Sequence, residues 1–419
     1  MNVGRKLLPL ILALSATVPG LTAQLLGVHL EAPVQALVAG AAIFGAAFVL
    51  VWACDAAQAD ISQALALAVV ALIAVLPEYA VDMYFTWQAG THPGSHYADF
   101  AIANMTGANR LLIGVAWVAV AVICWAKTRQ PVRLDADRRT ELFFLGLATA
   151  YALVIPIKGS LAWYDGVVFF AIYIWYMVQA AKRPAQESEA HGPAELLVAL
   201  PKARRRVVTL VLFLVAGGVI LANAEPFSEG LIQSGEVFGV NQFLLVQWLA
   251  PIASEAPEFI VALMLALTGR MALGLGSLVS AKVNQWTLLV GMIPFVYALA
   301  HRSLAHPIPM GHFQMDEILL TAAQSVLAVV ILASLRLSIG HGVLLFTLFA
   351  AQLVAPAVAG LLPGGTLMGV HPDQIRQFFA ILYFVSAAAL VLDSPQRLKN
   401  IWAGRQAASG QPAEELLSG

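Results

Sequence analysis

Two short motifs that join a proline, a glutamate and an aromatic residue lie inside long apolar runs: Pro77-Glu78-Tyr79 and Pro257-Glu258-Phe259. A carboxylate at the centre of a bilayer costs roughly 3 kcal/mol on insertion scales, so such an acid usually faces a bundle interior and serves a function. Each proline can free a backbone carbonyl in the preceding turn. Carboxylate and carbonyl oxygens suit Na⁺ or Ca²⁺, and a buried carboxylate can also take up a proton. The motifs therefore indicate ion or proton binding, with a buried structural hydrogen bond as the alternative.

The composition of the chain indicates the environment in which these motifs lie. Of the 419 residues, 60% are hydrophobic and only 11% are charged. A soluble domain carries about 25% charged residues, so this chain cannot cover a water-facing surface. The net charge of −1 gives no field that would attract nucleic acid. We therefore expect an all-α integral membrane protein whose partners are the lipid bilayer and small cations, with no nucleic acid, no nucleotide and no cofactor.

Runs of about 20 apolar residues each predict one membrane-spanning helix. The chain contains about twelve, at 7–27, 34–54, 61–88, 98–126, 140–157, 163–181, 207–224, 236–268, 271–299, 316–335, 340–361 and 374–393. Most Lys and Arg residues fall on the side shared with the N-terminus, chiefly in 127–139 and 182–206. The positive-inside rule then places both termini in the cytoplasm, and we expect a bacterial inner membrane. The first span can also be interpreted as a signal sequence.

An internal repeat relates the two motifs. Each is followed by a helix rich in small and amide residues, at 103–109 and 276–282, which continues to a glycine, Gly114 or Gly291. The second motif lies five spans after the first, and this odd offset inverts the second copy relative to the first. Inverted repeats are typical of secondary transporters that bind substrate at mid-membrane. We therefore expect Glu78 and Glu258 to face each other there, and chance similarity of two apolar helices is the alternative.

The predicted organisation follows from this repeat. An extra N-terminal helix occupies 1–33, the first inverted repeat 34–181, a basic cytoplasmic linker 182–206, the second repeat 207–361, and an extra helix with a cytoplasmic tail 362–419. Each repeat is expected to contain five helices.

The paired Pro-Glu helices, each followed by a polar helix of small residues, resemble the α-repeats of the cation/Ca²⁺ antiporter superfamily, the sodium/calcium exchangers. The resemblance covers roughly 34–361. It implies a secondary active antiporter, not an enzyme, that moves Ca²⁺, Na⁺, K⁺ or H⁺. It also implies that ions bind between the Pro-Glu helices and the helices that follow them, and that a peripheral helix pair moves to alternate access.

The motifs depart from the family pattern at several positions. The usual Thr-Ser before Leu-Pro-Glu is replaced by Ala74-Val75 in the first repeat and by Ser254-Glu255 in the second. The Gly-Ser-Asn triad becomes Gly107-Ala108-Asn109 and Ser280-Ala281-Lys282, and Arg110 follows the first triad. The expected ion- or proton-binding residues are Glu78, Asp82, Asn109, Ser254, Glu255, Glu258, Ser277 and Ser280, with Glu78 and Glu258 as the metal ligands.

Two basic residues are expected to tune the charge of this site. Lys282 would repel a divalent ion by several kcal/mol even at an effective dielectric near 20. It can pair with Glu255 or Glu258 and release on cation or proton binding, or form a permanent ion pair that only fixes the helices. Arg110 can pair with Asp82 or extend to the membrane interface.

Several functional alternatives remain open. The same fold can exchange Na⁺ or K⁺ for H⁺, with Lys282 as a charge switch. A non-transporting cation-binding or sensor protein is a second alternative. A membrane metalloenzyme would need a ligand cluster, and the histidines at 301, 306 and 312 fall in a loop. A further set of acids is expected near the interfaces, where they line vestibules or cap helices: Asp55, Asp60, Asp99, Glu225, Glu229 and Glu236.

Overall fold

The computed structural model describes residues 3–60, 75–182, 190, 192–362, 366 and 369–408. The first half forms α1 (Val3–Leu26), α2 (Ala32–Gln58), α3 (Leu76–Thr91), α4 (Tyr97–Leu111), α5 (Val118–Thr128), α6 (Arg139–Ala152), α7 (Val154–Lys158) and α8 (Trp163–Ala180). The second half forms α9 (Pro193–Val198), α10 (Lys202–Phe238), α11 (Gln242–Leu267), α12 (Met271–Asn284), α13 (Val290–His301), α14 (His312–Leu332), α15 (Ile339–Leu361), α16 (Ile375–Asp393) and α17 (Gln396–Ala408).

Shorter elements lie between these helices. Two π-helical segments, Leu112–Trp117 and Gln285–Leu289, join α4 to α5 and α12 to α13. Two 3₁₀ turns, Ala136–Arg138 and Pro372–Gln374, precede α6 and α16. The strands β1 (Val132–Arg133) and β2 (Arg336–Leu337) form one short antiparallel pair.

Within the described residues, ten helices are long and apolar enough to cross a membrane. They coincide with ten of the twelve predicted spans. The predicted span at 163–181 forms α8, which is not among the ten. The predicted span at 61–88 is described only from residue 75, because 61–74 lie outside the described residues.

The chain divides into two compact units, and each takes segments from both predicted repeats. The first unit comprises Met1–Gln88 and Ala180–Pro257. Its core forms where α2 lies along α10, with small residues such as Ala42, Ala46 and Ala216 at the contact. Small side chains let helix backbones approach closely in a bilayer, where no hydrophobic effect draws helices together. Gly239 ends α10 with a φ of 62°, a conformation that glycine adopts without strain.

The second unit comprises Ala89–Gln179 and Glu258–Gly419. Helix α14 lies at its centre, in contact with α4, α6 and α16, and most of its side chains are buried. This position buries α14 on several sides, so its sequence is apolar around most of its circumference.

Two β pairings in this unit relate the predicted repeats to each other. Strand β1, after α5, pairs with β2, after α14, through Val132–Leu337. A bridge joins Leu161, before α8, to Ile308, before α14. Ile308 occupies the place in the second repeat that β1 occupies in the first, and Leu161 occupies the place in the first repeat that β2 occupies in the second. Each pairing is therefore the counterpart of the other when the two repeats are exchanged. The connections therefore follow the pseudo-symmetry that the motifs predict.

The motif glycines also contact helices of the opposite repeat. A Cβ atom on Gly114 would lie 2.4 Å from the Phe349 ring, so α15 of the second repeat packs directly on that glycine. A Cβ atom on Gly291 would lie 3.1 Å from Cβ of Phe169, on α8 of the first repeat. Each repeat thus places its motif glycine against the last helix of the other.

Candidate cation-binding site

Three of the predicted carboxylates and one hydroxyl lie in the first unit. Glu78, Asp82, Ser254 and Glu255 are all buried. Glu78 and Asp82 are four residues apart on α3, which places both carboxylates on one helix face. The Ser254 hydroxyl donates to the Ala250 carbonyl at 3.1 Å, which leaves its oxygen able to accept or coordinate.

The motif proline of the second repeat changes the hydrogen bonding of its helix. Pro257 and Pro251 both lie inside α11, so the carbonyls of Ala253 and Gln247 lose their helical donors. In the first repeat, Pro77 and Glu78 lie on α3, which is described from Leu76 onward. Residues 61–74 of the predicted span lie outside the described residues, so the mid-span position of Pro77 stays a prediction.

Glu258 lies on α11, at the start of the second unit's second segment. It is partly buried, and its Oε2 has no hydrogen-bond partner among the described residues. An acceptor in this state is suited to a cation or a proton. That Glu258 faces Glu78 stays a prediction.

Lys282 and Asn109 meet in the second unit. The Lys282 ammonium donates to the Asn109 side-chain Oδ1 at 2.6 Å and to its main-chain carbonyl at 3.1 Å. Both residues are 0% exposed, and the ammonium also lies 4.6 Å from the Trp286 ring centroid. These are the third positions of the two family triads. A predicted ligand, Asn109, is therefore a described partner of the predicted charge-tuning lysine, and the pairing of Lys282 with Glu255 or Glu258 stays a prediction.

A π-helical segment begins three residues after each of these positions. Leu112–Trp117 follows Asn109, and Gln285–Leu289 follows Lys282. A π-helical segment is a single irregular turn inside an α-helix and occurs often at functional sites. The same irregular turn therefore occurs at equivalent places in both repeats, as the pseudo-symmetry predicts.

The two predicted serine ligands of the second repeat lie on α12. Ser277 is exposed and donates to the Gly274 carbonyl at 2.9 Å. Ser280 donates to the Gly276 carbonyl at 3.2 Å and accepts from Arg138 at 3.3 Å. A guanidinium at this distance opposes cation binding at the Ser280 hydroxyl. The role of both serines as ligands stays a prediction.

Arg110 forms a buried ion pair that the sequence analysis does not identify. Its guanidinium pairs with Glu317 on α14, which also pairs with Arg376 on α16. Arg110 is 2% exposed, so its guanidinium is shielded from solvent, and its extension to the membrane interface stays a prediction. The signal for Glu317 was present, since it is an acid inside the predicted span at 316–335.

The histidine loop brings two imidazole rings close together. The rings of His301 and His306 lie 5.3 Å apart, and His306 contacts the Ser303 hydroxyl at 3.2 Å. Among the described residues, no group of three or more His, Cys, Asp or Glu side chains is arranged to hold a metal.

The fold and these buried charged residues define an integral membrane transporter with two related halves. The sodium/calcium exchanger protein family matches this chain at residues 32–181 and 208–358. The chain therefore belongs to this family. The membership confirms the predicted resemblance, the all-α membrane fold with two repeats, and a transporter rather than an enzyme.

Solved structures extend the comparison. A crystal structure of the H⁺/Ca²⁺ exchanger CAX is 39% identical over 97% of this chain and 99% of that chain, with a TM-score of 0.88. Structures of the sodium-calcium exchanger NCX_Mj share the fold, for example at 18% identity over 83% of this chain and 99% of that chain, with a TM-score of 0.50. No curated protein sequence matches significantly.

Proposed function

We propose that this protein is a secondary active antiporter that exchanges Ca²⁺ for protons across the membrane. Support comes from the family match in both repeats and from the full-length similarity to an H⁺/Ca²⁺ exchanger. Glu78 and Glu258 are the proposed carboxylates of transport, supported by Asp82, Glu255, Ser254 and Asn109. The distribution of basic residues supports cytoplasmic termini.

The contact between Lys282 and Asn109 couples proton release to cation binding. The Asn109 Oδ1, a hard oxygen of the kind that Ca²⁺ prefers, is occupied by the Lys282 ammonium at 2.6 Å. A cation 4 Å from that ammonium would be repelled by about 4 kcal/mol per unit of its charge at an effective dielectric of 20. The cation and the lysine's proton therefore exclude each other, so binding of one favours release of the other.

Exchange of Na⁺ or K⁺ for H⁺ is the second candidate, and the same ammonium favours it. Repulsion scales with the charge of the ion, so Lys282 opposes a monovalent cation about half as strongly as Ca²⁺. Flux into liposomes decides between the candidates when gradients of Ca²⁺, Na⁺, K⁺ and pH are imposed separately. Proton efflux driven by Ca²⁺ alone supports the first, and proton efflux driven only by Na⁺ or K⁺ supports the second.

Replacement of Lys282 tests the coupling. In Lys282→Met, we expect cation flux to persist while the number of protons moved per cation falls, because the competing ammonium is gone. The measurement is simultaneous cation uptake and internal pH in the same liposomes. Lys399→Gln, at an exposed lysine of α17, is the matched control and should keep the wild-type ratio. An unchanged ratio in Lys282→Met would remove Lys282 from the coupling mechanism.

Glu258→Gln tests the carboxylate itself. We expect exchange to fall to the background of empty liposomes, because the amide can neither carry a proton nor supply the charge that a cation needs. Glu236→Gln, at an exposed acid of α10, should retain exchange. Both variants should elute as the wild type does on size exclusion. Full exchange by Glu258→Gln would refute its role, and tight cation binding without any flux in the wild type would favour a sensor.

A further inference from the structure

We propose that Arg138 is a specificity-determining residue that disfavours cations beside α12 at one face of the membrane only. It ends the 3₁₀ turn Ala136–Arg138 before α6, and it approaches α12, the helix that follows the second Pro-Glu motif. The inference rests on the proposed function, because it concerns how a transported cation approaches α12. Its test includes one measurement that needs no exchange.

The guanidinium of Arg138 lies directly against α12. A Cβ atom on Gly276 would lie 2.9 Å from both Cζ and Nε of Arg138, so the guanidinium fills the space that the missing side chain leaves. Its Nη1 donates to the Ser280 hydroxyl at 3.3 Å. Gly276 and Ser280 are four residues apart and share one face of α12. This face of the motif helix therefore contacts a positively charged group.

A carboxylate on α6 holds the guanidinium in this place. Nη1 of Arg138 also donates to Oε1 of Glu141 at 3.1 Å. The Glu141 side chain is 2% exposed and the Arg138 side chain 15% exposed, so the guanidinium is the more accessible partner. The carboxylate reduces the repulsion that a cation meets but does not remove it, because the guanidinium is the group that contacts α12 at Gly276 and Ser280.

A cation can reach α12 beside this group. Ser277, three residues before Ser280, is exposed. The Ser280 hydroxyl donates to the Gly276 carbonyl at 3.2 Å and accepts from Arg138. A cation that used the Ser280 oxygen would therefore lie next to the guanidinium. Since Coulomb repulsion grows with the charge of the ion, the effect is larger for Ca²⁺ than for a monovalent cation.

A constant interval relates the two repeats around this contact, so they can be compared residue by residue. Asn109 and Lys282, the third positions of the two triads, lie 173 residues apart. The same interval separates the starts of the two π-helical segments, the ends of α5 and α13, and the starts of α6 and α14. No insertion or deletion therefore interrupts the correspondence between these elements.

The first repeat has no equivalent of this charged contact. The interval pairs Arg138 with Gly311 and Ser280 with Gly107, so the first repeat carries neither a guanidinium nor a hydroxyl at these positions. The residue that corresponds to the acid on α6 is Gln314, which accepts from the Gly311 N–H at 2.9 Å and is neutral. The charge beside the motif helix is therefore a property of the second repeat.

The inversion of the repeats turns this difference into a difference between the two membrane faces. Equivalent positions of inverted repeats lie toward opposite faces. Arg110 of the first repeat does not restore the balance, because it is buried and pairs with Glu317 on α14. The guanidinium of Arg138 thus acts at the face that carries the segment between α5 and α6, which the basic residues predict to be cytoplasmic.

The first measurement is the half-saturating Ca²⁺ concentration for proton movement, taken separately in everted and in right-side-out membrane vesicles. In Arg138→Gln, we expect this concentration to fall about three- to tenfold at the face with the segment between α5 and α6, and to stay unchanged at the other face. Arg138→Lys keeps the charge and should stay near the wild-type value. Arg129→Gln is the matched control, because that guanidinium lies over the Trp125 ring, 3.9 Å from its centroid, and should leave both faces unchanged.

The second measurement reads the local charge in detergent, with a thiol introduced by Ser277→Cys. The native cysteines, Cys54 and Cys124, are replaced by alanine so that only the new thiol reacts. Two methanethiosulfonate reagents are compared, one with a trimethylammonium group and one with a sulfonate group. Both react with the same thiolate, so the ratio of their rates reports the charge nearby. Arg138→Gln should raise the ratio of cationic to anionic rates about threefold or more.

Gly276→Ala provides a second route to the same result. Its methyl group would lie 2.9 Å from Cζ of Arg138, so the guanidinium must move away while its charge is kept. We expect the reagent ratio to rise in this variant as well, but by less than in Arg138→Gln. Where Arg138→Gln does not elute as the wild type does on size exclusion, the ratio in Gly276→Ala decides.

Three outcomes would overturn the proposal. The first is an unchanged reagent ratio once the guanidinium is removed or displaced. The second is an equal shift of half-saturation at both faces. The third is a shift in Arg138→Lys as large as that in Arg138→Gln, which would assign Arg138 a structural role. A raised reagent ratio in a protein that moves no protons with Ca²⁺ would support the charge assignment and refute the proposed antiport alone.

Discussion

Glu317 lies between two guanidinium groups inside the second unit, those of Arg110 and Arg376. Arg110 and Glu317 are buried, whereas Arg376 is partly buried and packs on the Phe313 ring at 3.6 Å from the centroid. Burying charges costs several kcal/mol per ion, which only well-placed partners offset. The central acid therefore stabilises two cations at once, and it joins α4, α14 and α16.

Glu317→Gln should destabilise the protein by about 3–5 kcal/mol, because it leaves the buried Arg110 guanidinium and the partly buried Arg376 guanidinium facing a neutral amide. The measurement is the midpoint of thermal unfolding in detergent. The neighbouring acid provides the control: Asp316 is partly exposed and accepts from Gln377 at 3.1 Å, so Asp316→Asn should change the free energy of unfolding by less than about 1 kcal/mol. Equal midpoints for the two variants would contradict the structural role of Glu317.

The sequence could identify the charged residues at this scale but not their partners. Lys282 was found because it stands where the repeat expects an asparagine. Its contact with Asn109 joins positions 173 residues apart in the chain, and no local pattern encodes such a contact. Arg110 was likewise found, whereas Glu317 was missed because its burial depends on how α14 packs, which hydropathy alone does not report.

Helix α15 packs closely on Gly114, in the π-helical segment between α4 and α5. Gly114→Ala would place a methyl group 2.4 Å from the Phe349 ring, so α15 must shift. We expect a loss of about 1–3 kcal/mol in the free energy of unfolding, the usual cost of overpacking. Gly218→Ala is the matched control, because nothing lies within 4 Å of a Cβ there. Phe349→Leu should partly rescue Gly114→Ala, and the absence of any loss would contradict the close contact.

A bidentate ion pair ties the end of α2 to the start of α10. Arg205 donates to the two Asp60 oxygens at 2.6 and 2.8 Å. This hydrogen bonding holds the pKa of Asp60 below its ordinary value, and the positive charges of Arg205 and Arg206 act in the same direction. The pair lies outside the apolar part of the two helices, where its protonation can follow the pH of the solvent.

Acid should therefore weaken this connection in a defined pH range. A lowered native pKa means that the stabilisation is complete above the unfolded value, about 3.9, and is lost as the pH falls through the native value. The unfolding midpoints of wild type and Asp60→Asn should thus differ at pH 6 and converge below pH 4. A difference that grows on acidification would contradict the assignment.

At the scale of the whole chain, the sequence predicted the membrane fold and the family from composition and repeated motifs. Ten predicted spans coincide with described helices, because length and hydropathy largely determine a transmembrane helix. The compact units were not predicted, since each combines segments of both repeats. The loop pairings Val132–Leu337 and Leu161–Ile308 were also beyond reach, because strands of one or two residues carry no periodic signal.

The contacts between the motif glycine of one repeat and the last helix of the other have a consequence for biosynthesis. Gly114 packs on Phe349, which the ribosome adds more than 200 residues later. At roughly 5–20 residues per second, the nascent first half waits on the order of ten seconds or longer before its partner surface exists. The half-finished chain must therefore remain in the bilayer with this surface covered by lipid or by the insertion machinery. A ribosome that stalls within the second half leaves an intermediate that membrane quality control can recognise.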